Sequence, residues 1–335
     1  MKTALYASAA LVALALGAPV AMAQSRDTIQ VAGSSTVLPF ASIVAEEFGA
    51  AFPQFKTPVV GSGGTGGGLK SFCEGVGDNT IDIANASRPI KDSERDVCTA
   101  NGVTDIREVQ FGYDGIVFAS AANGPDFALT PLQVYKAIAA NVYVDGALVP
   151  NPYKSWNEVD PALPAQPIAL AVPASNHGTR EVFQERVVTA GCEEAGLPEG
   201  HPDDACTAFR QDVVVEISGD YTETLARLKS DANTVGVFGL SFYESNTDTL
   251  KVATVSGVVP SKETVVSGEY PVSRPLFFYV KGQHLGVVPG IEDYVAFFLS
   301  DAIAGEGGML ETAGLIPQPA DKTAAVLAAF EAGAL

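Results

Sequence analysis

Apolar and polar positions along this chain follow two periods. Short apolar runs bounded by Gly, Pro, Asn and Asp predict strands at 27–32, 57–60, 80–84, 107–110, 116–119, 168–172, 234–238, 251–255 and 276–280. Between them, apolar residues at helical spacing predict helices. The clearest are 37–52, closed by Pro53; 93–99; 130–140, with Thr130-Pro131 as N-cap and first residue; 221–230; 291–301; and 322–332. Tyr294, Val295, Phe297 and Phe298 would face the core. Trp156 reads as a loop residue, and Gly112-Tyr113-Asp114-Gly115 stands between two strand runs. Strands alternating with helices predict an α/β fold with parallel layers.

Three turns interrupt this pattern in the same way. Gly61 to Lys70 holds six glycines, with Ser62 and Thr65 among them, and leads into a helix at Leu69. Gly33-Ser34-Ser35-Thr36 precedes the helix beginning at Val37, with Ser34 or Ser35 as its cap. Ser175-Asn176-His177-Gly178-Thr179 precedes Arg180 to Val188. Glycine lets backbone come close to a bound group, and a helix start presents free N–H groups, so each turn is a candidate anion cradle. The expectation is that all three converge on one small anion. A nucleotide-binding P-loop is excluded, because Leu69 separates Gly68 from Lys70.

Composition narrows the setting. Lys2, the apolar run 4–20 and Ala21-Met22-Ala23 form a secretory signal peptide, 1–23, cut before Gln24. Residues 24–335 then form an exported protein, with no later span able to cross a bilayer. Asp and Glu number 39 against 20 Lys and Arg, a formal net charge of −19. Such a surface does not attract nucleic acid or acidic lipid, so an anion must be held by local donors. The four cysteines fall as Cys73 with Cys98 and Cys192 with Cys206. Of the three possible pairings, the local one closes short Asp- and Gly-rich loops and fits an exported protein with disulfide bonds. Zinc is the competing use, but no pair has CxxC spacing and only His201 lies near a cysteine.

Five segments together resemble a known family. GSSTVLPF (33–40), GSGGTGGGLKSFCEG (61–75), DIANASRPI (82–90), YDGIV (113–117) and HGTREVF (177–183) are similar to the periplasmic phosphate-binding protein of bacterial ABC phosphate importers, a type II solute-binding protein. The resemblance covers nearly all of 24–335. It implies an α/β, two-lobed periplasmic-binding-protein fold, with a hinge of two crossing strands and a ligand cleft between lobes. Lobe I would take 24–113 plus 254–335 and lobe II 114–253, with crossings near 112–116 and 250–254. It also implies hinge closure on the ligand.

Carried over residue by residue, the resemblance assigns ligand contacts to Ser35, Thr36 and Val37 in the first turn. In the second it assigns Thr65, with Ser62 the lesser candidate, and in the third Gly178 and Thr179. Three departures stand out. His177 occupies a place that commonly holds Ser. Pro173 and Ala174 stand where well-known members place an Arg. Ser87-Arg88 replaces a Ser-Asp pair. The cation would then be Arg88, with Arg180 as second candidate, since one guanidinium can hold an oxyanion through two parallel bonds. A carboxylate that accepts the proton of monohydrogen phosphate would exclude sulfate, which has none to give. Asp114, beside the hinge, is the first candidate for it, and Asp82 the second.

The implied partners are inorganic phosphate and the membrane permease subunits, with no cofactor, no metal, no enzymatic activity and a monomeric state. Two other functions compete. One keeps the fold but changes the guest to sulfate, molybdate or another oxyanion, or uses phosphate binding for adhesion or sensing. The other is a secreted phosphohydrolase, with Ser34, Ser35 or Ser175 as nucleophile and His177 as base. Against it, the chain has no GxSxG elbow and no carboxylate–histidine cluster for metals.

Overall fold

A computed structural model describes residues 26–144, 147–174, 178–196, 206–218 and 221–333. Residues 1–23, expected as a signal peptide, and the tip of the third turn, Ser175 to His177, lie outside the described residues.

Ten strands form one sheet. In chain order they are β1 Gln30–Gly33, β2 Val59–Ser62, β3 Ile83–Ala86, β4 Ile106–Ala121, β5 Leu170–Pro173, β6 Val214–Ile217, β7 Val235–Gly239, β8 Leu250–Val252, β9 Ser273–Lys281 and β10 Ile316–Pro317. The order across the sheet is β2-β1-β3-β9-β4-β7-β5-β6, with β8 and β10 also paired to β4. At one end β1 runs parallel to β2 and β3; at the other β5 runs parallel to β6 and β7. The two parallel blocks are joined by antiparallel pairings through β9 and β4.

β4 corrects one sequence expectation. Residues 107–110 and 116–119 were expected as separate strands, but they are halves of a single 16-residue strand. Gly112 to Gly115 does not turn. It is the length of β4 that passes from one half of the molecule to the other. Residues 106–115 pair with β9, and 116–121 pair with β7 and β8. The glycine letters serve close approach: a Cβ on Gly112 would stand 2.7 Å from Leu315 Cδ1 and 2.9 Å from Ile316 O, where β10 lies against β4.

Two large cores flank this strand. One joins Ile29, Val37, Phe40, Phe48, Phe111, Leu276, Phe278, Tyr294 and Phe298. The other joins Ile116, Phe118, Trp156, Phe183, Val237, Val265, Tyr270 and Val272. The chain changes core near Tyr113 and again between Val272 and Leu276. Leu250 to Thr254, expected as the second crossing, stays with the second core: Leu250–Val252 pairs with β4 at 119–121, and Thr254–Val255 pairs with Ala128–Leu129. A smaller core of Leu69, Phe72, Ile90, Val103 and Phe277 lies around the Cys73–Cys98 disulfide. The second disulfide, Cys192–Cys206, is present too.

Helix α1, Leu38–Ala51, buries Phe40, Ala41, Val44, Ala45 and Phe48, the expected i, i+3, i+4 stripe. Fully burying an aromatic such as Phe48 contributes roughly 1.5–3 kcal/mol. Its N-cap position is Val37 rather than Ser34 or Ser35. Ser34 sits in the turn before it, its hydroxyl accepting from the Thr36 amide at 3.2 Å and its carbonyl from the Leu38 amide at 3.0 Å. Helix α2, Gly64–Phe72, starts inside the glycine run, so four of its glycines are helical rather than turn residues. Buried Leu69 and Phe72 outweigh the poor helix propensity of glycine. Trp156 opens a short helix, Trp156–Val159, instead of lying in a loop, because its ring is fully buried in the second core. Among the described residues, no helix is long and apolar enough to cross a membrane.

Candidate functional site

Strands β1, β2 and β3 run parallel and deliver their C-terminal ends to one edge, the usual place for ligands in such sheets. Each end carries a hydroxyl residue. Ser35 and Ser62 lie with hydroxyl oxygens 3.2 Å apart. Thr65 and Ser87 are both buried, their hydroxyls 3.0 Å apart, and the Ser87 amide donates to Thr65 Oγ1 at 3.1 Å. This packing depends on missing side chains. A Cβ on Gly68 would stand 2.4 Å from Gly33 Cα, so α2 lies directly against the end of β1.

Thr36 is buried at 2% exposure and reaches across to the other half of the molecule. Its hydroxyl donates to Glu181 Oε2 at 2.7 Å and accepts from Arg274 Nη2. Glu181 belongs to helix α3, Gly178–Phe183, whose second residue is Thr179. The Thr179 hydroxyl is hydrogen-bonded to the Tyr221 hydroxyl, and burial pushes the Tyr221 phenol well above its ordinary range.

Arg274 is the centre of this arrangement. Its side chain is fully buried on β9, in register with Asp114 on β4. Nη1 donates to Glu185 Oε2 at 2.9 Å, Nη2 stands 3.6 Å from Glu181 Oε2, and Nε stands 3.9 Å from Asp114 Oδ2. That last separation is too long for a hydrogen bond. Both Nε and Oδ2 are buried without a hydrogen-bond partner. Burial raises the Asp114 carboxyl to about 6; Arg274 opposes the rise and Glu181 adds to it. Three carboxylates thus surround one guanidinium. Glu181 holds the place of an oxyanion, bound to a hydroxyl and close to a cation.

The other expected positions are arranged differently. Arg88 grips Glu94 with both terminal nitrogens, at 2.9 and 2.8 Å, and also donates to Pro89 O at 3.0 Å. Arg180 donates to Pro173 O at 2.9 Å and Glu216 at 3.1 Å, and stacks 4.8 Å above Phe209. Asp82 accepts from the Gln30 amide and is paired with Arg26 and His284 at the other end of β1. Val37 puts its side chain in the core, and Gly178 opens α3. His177 lies outside the described residues. Among the described residues, no group of three His, Cys, Asp or Glu could hold a metal ion.

Sequence reasoning missed Arg274, Glu181, Glu185 and Tyr221. One signal was present: Arg274 interrupts the apolar run of β9, immediately before Pro275. A charged residue inside a buried strand needs a partner, and the register supplies Asp114.

A strand that threads two parallel α/β blocks, with a polar seam where they meet, is a shape shared with known proteins. A family model described as the PBP superfamily domain matches residues 18–302. The chain belongs to the PBP superfamily. Protein SphX of Synechococcus elongatus is 30% identical over 331 residues, covering 96% of this chain and 88% of that protein. The phosphate-binding protein PstS of Staphylococcus saprophyticus is 30% identical over 292 residues, covering 86% and 79%. Among solved structures, a possible phosphate binding protein from Planctomyces limnophilus superposes with a TM-score of 0.72 at 28% identity, covering 91% of this chain and 98% of that one. In this PBP superfamily member the Thr36–Glu181 hydrogen bond links the segments that feed the two cores.

Proposed function

We propose that this protein captures inorganic phosphate between its lobes and delivers it to the permease of an ABC importer. It would work as an exported, periplasmic monomer, without chemistry on the ligand. The observation that carries this reading is the Thr36 hydroxyl, held between Arg274 and the Glu181 carboxylate in a buried seam. A seam that already holds one oxyanion group between a hydroxyl and a guanidinium has the donors that phosphate requires. The names of the PstS relative and of the Planctomyces structure agree with phosphate as the ligand.

In this reading the first and second turns supply Ser35, Thr36, the Val37 amide and Thr65, the end of β3 supplies Ser87, and α3 supplies Gly178 and Thr179. We assign the cation to Arg274, because it is the arginine bonded to the Thr36 hydroxyl, whereas Arg88 and Arg180 are engaged with Glu94 and Glu216. Asp114, unpartnered at Oδ2, accepts the proton of monohydrogen phosphate, which disfavours sulfate. We put the lobe crossings at Tyr113–Gly115 and Ser273–Pro275, a reading supported by the change of core along the chain at both places.

Calorimetry on the purified protein tests the proposal. Phosphate should bind one per chain, sulfate much more weakly, and p-nitrophenyl phosphate should not be hydrolysed. Turnover of that ester, or sulfate binding as tight as phosphate, would overturn it.

A further inference from the structure

Beside the β4–β9 pairing lies a cavity whose lining does not include Thr36, Thr65 or Thr179, although Arg274, which bonds Thr36, is on its wall. It has a volume of about 500 Å³, within the range of small-molecule sites. Its walls come from both cores: Tyr113 on β4, Arg274 on β9, the turn around Ser267, and Lys322 on the C-terminal helix Ala320–Ala332. Its lining includes Arg186, Arg274 and Lys322 and no Asp or Glu. In a chain with 39 acidic against 20 basic residues, that is a sharp local reversal of charge. The neighbouring cavity, of about 290 Å³, shows the contrast, since Glu263, Asp301 and Glu306 line it.

The cations here are differently committed. Arg274 directs its guanidinium to Glu185 and Thr36. Lys322 Nζ donates to Tyr113 Oη at 2.8 Å and lies 5.2 Å from that ring's centre. Among the described residues, no carboxylate lies within 4.0 Å of the side-chain nitrogens of Lys322 or Arg186. Gln110 Nε2 is buried in the same lining without a hydrogen-bond partner. A buried donor left unpaired costs about 1–3 kcal/mol, which an acceptor in the cavity would remove.

We propose that this cavity is a second anion site, taking a small oxyanion with several charges, of the condensed-phosphate class. Arg186 and Lys322 provide two separated positive ends, Gln110 Nε2 a neutral donor, and the Tyr113 ring a wall. The site shares Arg274 with the cleft reading, but Arg186, Lys322 and Gln110 belong to it alone, so the two readings can fail separately.

The test titrates sodium tripolyphosphate into the full chain by calorimetry, with orthophosphate present at saturation. Wild type should bind one tripolyphosphate per chain. Arg186→Gln and Lys322→Gln should each weaken it by roughly tenfold or more, the worth of one charge-assisted hydrogen bond. Orthophosphate binding, titrated separately, should persist in both variants. Absence of tripolyphosphate binding to wild type would overturn the site. So would binding that saturating orthophosphate abolishes, or affinity unchanged in both variants. Failure of orthophosphate alone to bind would overturn the cleft reading and leave this one standing.

Discussion

Thr36 and Glu181 stand 145 positions apart in sequence, yet a 2.7 Å hydrogen bond joins them across the seam between lobes. A carboxylate therefore already occupies donors that a bound phosphate would use. It gains from Thr36 and from Arg274 3.6 Å away, and under the proposed function it competes with the ligand for both. Glu181→Gln keeps the shape and removes the charge. The expected outcome is phosphate affinity raised by roughly fivefold to tenfold, about 1 kcal/mol. Calorimetry on the variant checks this, and an unchanged or weaker affinity would show that Glu181 does not compete.

Arg274 and Arg88 separate cleanly by mutation. Arg274→Ala removes a fully buried guanidinium from between Asp114, Glu181 and the half-exposed Glu185. Breaking a buried charge network of this kind costs about 3–5 kcal/mol, and phosphate binding should be lost. Arg274→Lys keeps the charge without the fork and should fold better while still binding at least tenfold more weakly. Arg88→Ala loses a partly exposed pair with Glu94, which should lower stability by about 1 kcal/mol or less. Its phosphate affinity should stay within about threefold of wild type, a shift under 1 kcal/mol. Parallel urea melts and titrations distinguish the three. Normal binding in Arg274→Lys together with lost binding in Arg88→Ala would transfer the role to Arg88.

Asp114 makes stability depend on pH in the reverse of the usual carboxylate sense. Its folded value is raised from 3.8 to about 6, mainly by burial between β4 and its neighbours. Arg274 from β9 and Glu181 from α3 act on it, and Asp114 in turn acts on the Tyr221 hydroxyl. Between about pH 4 and 6 the folded state holds a proton that the unfolded state has released. The stability this group contributes is full below pH 4 and is lost as pH rises through 6, by about 3 kcal/mol. Asp114→Asn keeps the geometry and removes the titration. Relative to that variant, wild type should lose stability from pH 4 to pH 7 in urea unfolding. Parallel curves for the two proteins would show that Asp114 titrates normally.

Much of the fold could be read from periodicity, because it depends on local apolar spacing. The helix at 221–230 and the stripe of α1 are examples. The cysteine pairs were readable because their loops are short. Continuity of β4 was hidden, since Gly112 and Gly115 look like turn letters until the crossing of β10 is seen. Thr36 and Asp114 were singled out through local motifs. Arg274 was not, because its meaning lies in cross-strand register with a residue 160 positions earlier. Glu181 was passed over because nothing near it in sequence indicates that Thr36 is its partner.

The glycines of α2 make a last prediction, since identical residues stand there in opposite surroundings. Gly68 lies against β1, where a Cβ would be 2.4 Å from Gly33 Cα and 2.9 Å from Ala32 O, both backbone atoms unable to swing aside. Gly66, two residues earlier, has nothing within 4 Å of its imagined Cβ. Gly68→Ala should therefore push α2 from the sheet, at a cost of about 1–3 kcal/mol. It should also pull Thr65 from Ser87, weakening phosphate binding in the same protein. Gly66→Ala should do the opposite to stability, raising it by roughly 0.5–1 kcal/mol, because alanine favours the helix without meeting a neighbour. Thermal melts of the two variants without ligand decide it. Equal effects of the same sign would mean that α2 does not sit against β1 in the way that positions Thr65.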